Sequence, residues 1–156
     1  MKTIKIYVTV FLLIGMLVTI HGGARFTDNG DGTITDNGTG LLWQKCSYGQ
    51  SVPNCSESAT TMDWGSALQI CRNSTLASRS WRLPNINELG SIVDYSSANP
   101  SINLKVFPNP GAGYWTSSTV ISSSANAWSV VFAFGIVGYG AKDDRIGCVR
   151  CVADGP

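Results

Sequence analysis

Five cysteines carry the most chemistry in this chain by their type and spacing. Cys46 and Cys55 share one polar loop, 46–60, and can close a short ring. Cys71 stands in TMDWGSALQICRN, while Cys148 and Cys151 lie in the last apolar run, RIGCVRCV. Pairing four of the five leaves about fifteen connectivities. Cys148-x-x-Cys151 has the spacing of a redox or zinc half-motif, which works when helical geometry brings the sulfurs together. On a strand, residues three apart point to opposite faces, so these two thiols should not meet. Structural disulfides are the expected use: Cys46 with Cys55, and Cys71 with Cys151. Cys148 is then free or bonded between chains.

The other reactive groups offer less. His21 is the single histidine, and it falls in an N-terminal stretch expected to be removed, so no Ser-His or Cys-His nucleophile and no histidine zinc site remains. Asp143 and Asp144 are adjacent, their side chains diverge, and they read as a solvated turn. Asp28-Asn29-Gly30-Asp31-Gly32 invites a calcium reading, yet it lacks the alternating acids and distal glutamate of a calcium loop. It reads instead as a hairpin turn. No catalytic residue, metal site or cofactor is expected, and the chain reads as a non-enzyme.

Lys2 and Lys5 precede an uncharged apolar run, Tyr7 to Ile20, and Gly22 and Ala24 supply small residues for cleavage before Arg25. The run is short of the roughly twenty residues a spanning helix needs. Residues 1–24 are thus an expected leader, and 25–156 a single exported domain, periplasmic or secreted, with no membrane span after cleavage. Of eleven Lys and Arg, two leave with the leader, so nine face ten Asp and Glu. No basic run survives to bind nucleic acid. A chain of this size builds a real core but still gains from disulfides.

The elements that must position the cysteines follow from pattern. Strand-like RFT and TIT flank DNGDG, and TGLLWQ follows a second turn at Asn37-Gly38. A first helix is expected from about Thr61 to Asn73, because Trp64, Ala67, Leu68 and Cys71 recur at i, i+3, i+4 and i+7. A second begins after Pro84, with Asn85 as N-cap and Glu88 completing a capping box. Residues 95–113 read as loop. Three β-type runs follow at 114–118, 127–135 and 145–152, with Trp128, Val130 and Phe132 on one face and Ser129, Val131 and Ala133 on the other. Trp43, Trp64, Trp81, Trp115 and Trp128 read as core or frame residues.

FTDNGDGTITDNGTGLLWQ, WRLPNINEL, YWTSS, the Trp128–Gly135 strand with Lys142 after it, and VRCV together resemble the Lcl C-terminal domain family. That family is a bacterial exported domain, found also at the end of a collagen-like adhesin. It is similar in turn to the C-type-lectin-like fold shared with formylglycine-generating enzymes. The resemblance implies an α+β fold, two helices on a twisted, mostly antiparallel sheet with the termini close together, and Cys71–Cys151 as staple at one end.

It also implies a recognition face in the loops at 95–113 and 119–126. Asn99, Asn103, Asn109, Ser123 and Asn126 offer neutral donors and acceptors there, suited to hydroxyl-rich ligands. The Glu-Pro-Asn loop and Trp-Asn-Asp strand of calcium-dependent lectins are not matched, since Asn99-Pro100 and Asn109-Pro110 lack a preceding acid and the strand reads Trp128-Ser129-Val130. The expected function is a binding or adhesion module for surface polysaccharide or a cell-surface protein. The alternatives are a structural envelope-assembly subunit or an oxidase of the formylglycine-generating kind.

Overall fold

The computed structural model describes residues 24–155, so the leader expected over 1–24 lies, but for Ala24, outside the described residues. Period-two burial and glycine-bearing turns build two antiparallel sheets. The first holds β1 (Phe26–Asp28), β2 (Thr33–Asp36), β3 (Leu41–Gln44) and β7 (Val152–Asp154) in that order. The second holds β4 (Gly113–Val120), β5 (Ser123–Val131) and β6 (Ile136–Ala141). Two helices, α1 (Trp64–Arg72) and α2 (Ile86–Ser91), make the fold α+β.

The first turn is the hairpin its sequence suggests. Asp28 accepts from Gly30 N–H, Asp31 from Thr33 N–H, and Gly30 and Gly32 take positive φ. Asp28 also pairs with Lys45 at 2.7 Å and Asp31 also accepts from the Thr33 hydroxyl, so both acids are spent within the first sheet. Alternation then sends neighbouring side chains to opposite faces. Ile34, Trp43 and Val152 line up across three strands in one core cluster, while Leu42 and Ala153 pair into another. In the second sheet Tyr114 and Val130 join the first cluster, Trp115 and Ala127 the second. Leu89 and Ile92 cover the first side, and Ala67 and Cys71 of α1 cover the other.

α1 begins at Trp64, later than the expected Thr61. Met62 is held in a bridge to Gly147, and Asp63 Oδ1 accepts from Ser66 N–H as N-cap, worth about 1 kcal/mol. α2 has the capping box read from Asn85 and Glu88. Disulfides join Cys46 to Cys55 and Cys71 to Cys151. Cys148 is a buried free thiol on the first cluster, whereas Cys151 lies in the second.

Three expectations change. The 145–152 run is a strand only from Val152; Gly147 to Cys151 instead bridges both sheets, with Cys148 N–H on Gly113 O at 2.9 Å and Gln44 N–H on Cys151 O at 3.1 Å. Gly147 permits this course because the Trp115 ring lies against it, where a Cβ would fall 2.4 Å from the indole. The loop expected at 119–126 is the end of a hairpin, with β5 already running at Ser123 and a register shift near Thr119 absorbing the irregularity. β6 was not foreseen, since its two glycines and exposed apolar residues erase the alternation that marks a half-buried strand. On β5, Val130 is buried and Trp128 half-buried, edge-on to Tyr139 with centroids 5.7 Å apart; Phe132 is buried just beyond the strand.

Candidate functional site

The chain between α2 and β4 is irregular, and two apolar anchors hold it. Ile102 and Phe107 are buried in the core, and Ser101 N–H donates to Phe132 O at 2.7 Å. Before and between these anchors the backbone is turned by short polar side chains. Asp94 accepts from Ser96 N–H at 3.0 Å and from Ser96 Oγ at 2.5 Å, while Asn103 accepts from Lys105 N–H at 3.0 Å. The side-chain and backbone hydrogen bonds from Ser96 hold the Asp94 carboxyl below the usual carboxylate range.

What these turns leave outward is a pair of adjoining grooves of about 600 and 480 Å³. Asp94, Asn103 and Lys105 line both. Tyr95, 80% exposed, edges one, and half-exposed Leu104 edges the other. The arrangement suits a ligand with an apolar face and several hydroxyls: a bare aromatic ring beside amide and hydroxyl groups.

The five residues expected to form the site do not all meet. Asn99 and Asn103 line the larger groove. Asn109 is a brace: its Nδ2 donates to Cys55 O at 3.1 Å and to Glu57 O at 2.8 Å, and its own carbonyl accepts from Gln50. Ser123 and Asn126 bond one another in the β4–β5 hairpin at 3.2 Å and line neither groove. Tyr95, Leu104 and Lys105 were missed. The available signal was an isolated tyrosine between an Asx turn and a serine pair, where no core pattern claims it.

The strongest sequence motif is spent on the frame. In WRLPNINEL, Trp81 is buried and donates from Nε1 to Leu76 O at 2.8 Å. Arg82 exchanges both backbone hydrogen bonds with Val152, each 2.9 Å. Its guanidinium makes a bidentate pair with Glu88, 2.8 Å on each arm, and reaches Asp154 at 3.2 Å. Glu88 Oε2 also accepts from Asn85 N–H. Arg82 thereby holds the Glu88 carboxyl below its usual range despite burial. One salt-bridged clasp therefore joins the start of α2 to the final strand.

All of this clasp but Asp154 falls within a match to the family model of the Lcl C-terminal domain, which covers residues 32–153. The chain belongs to the Lcl C-terminal domain family. No curated protein and no solved structure matches it. The Lcl C-terminal domain match runs from the start of β2 into β7, so it takes in both helices, both disulfides and the groove-forming segment.

Arg150, in the VRCV run, is also frame. It is fully buried, donates to Gln44 O at 2.8 Å and to Lys45 O, and lies over the Phe107 ring at 4.7 Å. Burial lowers its pKa. Cys148 is likewise enclosed, and burial pushes its thiol up against the opposing pull of Arg150. A thiol so placed is a weak nucleophile. Among the described residues, no group of three or more His, Cys, Asp or Glu could hold a metal ion, and no helix is long and apolar enough to cross a membrane.

Proposed function

We propose that this chain is an exported, non-enzymatic binding module on a C-type-lectin-like frame, recognising surface polysaccharide through the segment between α2 and β4. The observation that supports it most is Tyr95, held bare at the edge of one of two adjoining grooves beside an Asp94 turn whose carboxylate is hydrogen-bonded within the segment. Binding needs no calcium in this reading. Asp94 is the one carboxylate lining those grooves, whereas calcium takes six to eight oxygens. The non-enzymatic part rests on the cysteines: four are tied in disulfides and the fifth is a buried thiol.

Capture of intact cells by the mature domain tests the reading. Binding that survives chelator and protease but is lost after periodate oxidation of the cells supports it. Loss to protease with indifference to periodate would assign a cell-surface protein as the partner instead.

A second reading, an envelope-assembly subunit, is favoured by β6. Among the described residues this strand pairs only with β5 and leaves Val137 and Tyr139 more than half exposed along an edge with no charged residue of its own. Sedimentation of the mature domain distinguishes it: assembly that Tyr139→Lys abolishes would favour a structural role.

A further inference from the structure

On the opposite side of the sheets from the 95–107 segment, α1 carries a second outward surface with a different composition. Its inward stripe is Trp64, Ala67, Leu68 and Cys71, with Ile70 part-buried at the margin of the same core. Ser66, Gln69, Ile70 and Asn73 recur at i, i+3, i+4 and i+7 along another stripe. A solvent-facing helical stripe ordinarily carries charge. This one carries amides, a hydroxyl and one isoleucine. With Gln44 from the end of β3 and Tyr48 from the Cys46–Cys55 ring, it walls a groove of about 470 Å³. A further hollow of about 310 Å³ continues past Gln44 and Tyr48 toward Gln50, Val52 and Leu76. The two share Gln44 and Tyr48, so they form one trough with the tyrosine standing between two subsites.

None of the residues lining either half is charged, in contrast to Asp94, Lys105 and Arg25 beside the other grooves. The trough therefore has no means of holding an anion or a cation by charge. Part of its lining is set in advance. Tyr48 is 46% exposed, yet its N–H donates to Val149 O and its carbonyl accepts from Thr60 N–H, both at 2.9 Å. Gln44 Nε2 donates to Ser74 Oγ at 2.9 Å, which orients that amide and leaves its second N–H available. Gln69 and Asn73 are exposed and make no side-chain hydrogen bond among the described residues. An aromatic side chain on a backbone pinned at both its N–H and its carbonyl, beside one oriented amide, gives a ligand a partly preset surface, and Gln69 and Asn73 keep their donors and acceptors unspent. Both hollows fall within the range of about 300–1,000 Å³ typical of small-ligand sites.

We infer that this trough is a second ligand site, for a neutral saccharide chain. One sugar ring lies its C–H face on Tyr48, and the hydroxyls of its neighbours bond to Gln44, Gln69 and Asn73. The inference does not rest on the groove beside α2, and a chain with both sites could bridge two polysaccharide strands.

The test probes the mature domain with cellohexaose, maltohexaose, chitohexaose and mannohexaose, by calorimetry and by backbone amide shifts. Wild type should bind at least one of them, with shifts on α1 and around Tyr48. Tyr48→Ala and the double variant Gln69→Ala/Asn73→Ala should each weaken that binding by about tenfold, the loss of one aromatic or polar anchor. Tyr95→Ala should leave it unchanged while reducing cell capture. The double variant changes only exposed side chains, so it reports even if Tyr48→Ala perturbs folding. Failure of all four sugars to bind, or binding indifferent to the double variant, overturns the second site. Tyr95→Ala lowering oligosaccharide affinity while the α1 variants do not would return all recognition to the first.

Discussion

The Arg82 clasp and the 92–107 segment lie in the same family domain and use similar residue types for opposite ends. In the clasp, polar groups face each other: Arg82 is matched by Glu88 and Asp154, and Asn85 by the amides of Asn87 and Glu88. In the segment, Asp94 and Asn103 bond only to groups within a few residues, the Ser96 and Ser97 hydroxyls and the local backbone, and Tyr95 and Leu104 are left outward. A polar residue whose partners are all internal stabilises. One that turns the chain and leaves a neighbour bare prepares a surface. WRLPNINEL therefore serves the frame, and the proposed ligand surface lies outside it.

The sharpest way to break the frame side of this contrast is to open the staple. Cys71→Ser releases a loop of 80 residues and should cost about 4 kcal/mol on the chain-entropy estimate, read as a lowered urea midpoint. Opening Cys46–Cys55, with a separation of 9, should cost less, about 2.5 kcal/mol. Equal losses would show that the strand-to-helix staple does not govern the fold.

Arg150 and Arg82 sharpen it next. Both are frame arginines, but one is enclosed without a carboxylate partner and the other is part-exposed with two. Arg150→Ala strands the carbonyls of Gln44 and Lys45 in the core and should cost about 3 kcal/mol. Arg82→Ala, at a solvated ion pair, should cost about 1 kcal/mol. Thermal denaturation of the two variants side by side checks the order.

These contrasts bear on what could be read before any coordinates. The cap at Asn85, the helical stripe ending in Cys71 and the Asp28–Gly32 turn were legible because each is local: spacing and side-chain type decide them within a few residues. β6 was not, since Gly138 and Gly140 stand where a pattern would need bulk and its pairing comes from β5. The course of Gly147–Cys151 was hidden for a similar reason, because it depends on Trp115 lying against a distant glycine. The site was half legible. Asn-rich loops marked Asn99 and Asn103, but residue type alone could not reveal that Asn109 is committed to Cys55 and Glu57.

Acid provides a smaller and graded probe. Glu88 is held low by Arg82 against its burial; at Asp36 burial pulls upward, and the hydrogen bonds from Arg25 and Gly38 outweigh it. Both carboxyls have folded pKa values below their unfolded ones. Their stabilisation is complete above the ordinary carboxylate range and is lost as pH falls through it and then through the lowered folded values. The melting temperature should be flat from neutral pH down to about 5 and then decline. Glu88→Gln should make that decline shallower. An unchanged acid limb would remove the clasp from the account of stability.

The smallest stability effect belongs to the groove, and it carries the largest functional one. Tyr95→Ala/Asn103→Ala and Arg82→Ala should be compared for polysaccharide capture and melting in one buffer, with capture normalised to folded protein. The groove variant should lose capture by about tenfold while melting within about 2 °C of wild type. Arg82→Ala should melt lower and capture as wild type does. Capture lost with Arg82→Ala and kept by the groove variant would contradict the division of this domain into a motif-bearing frame and a recognition surface between α2 and β4.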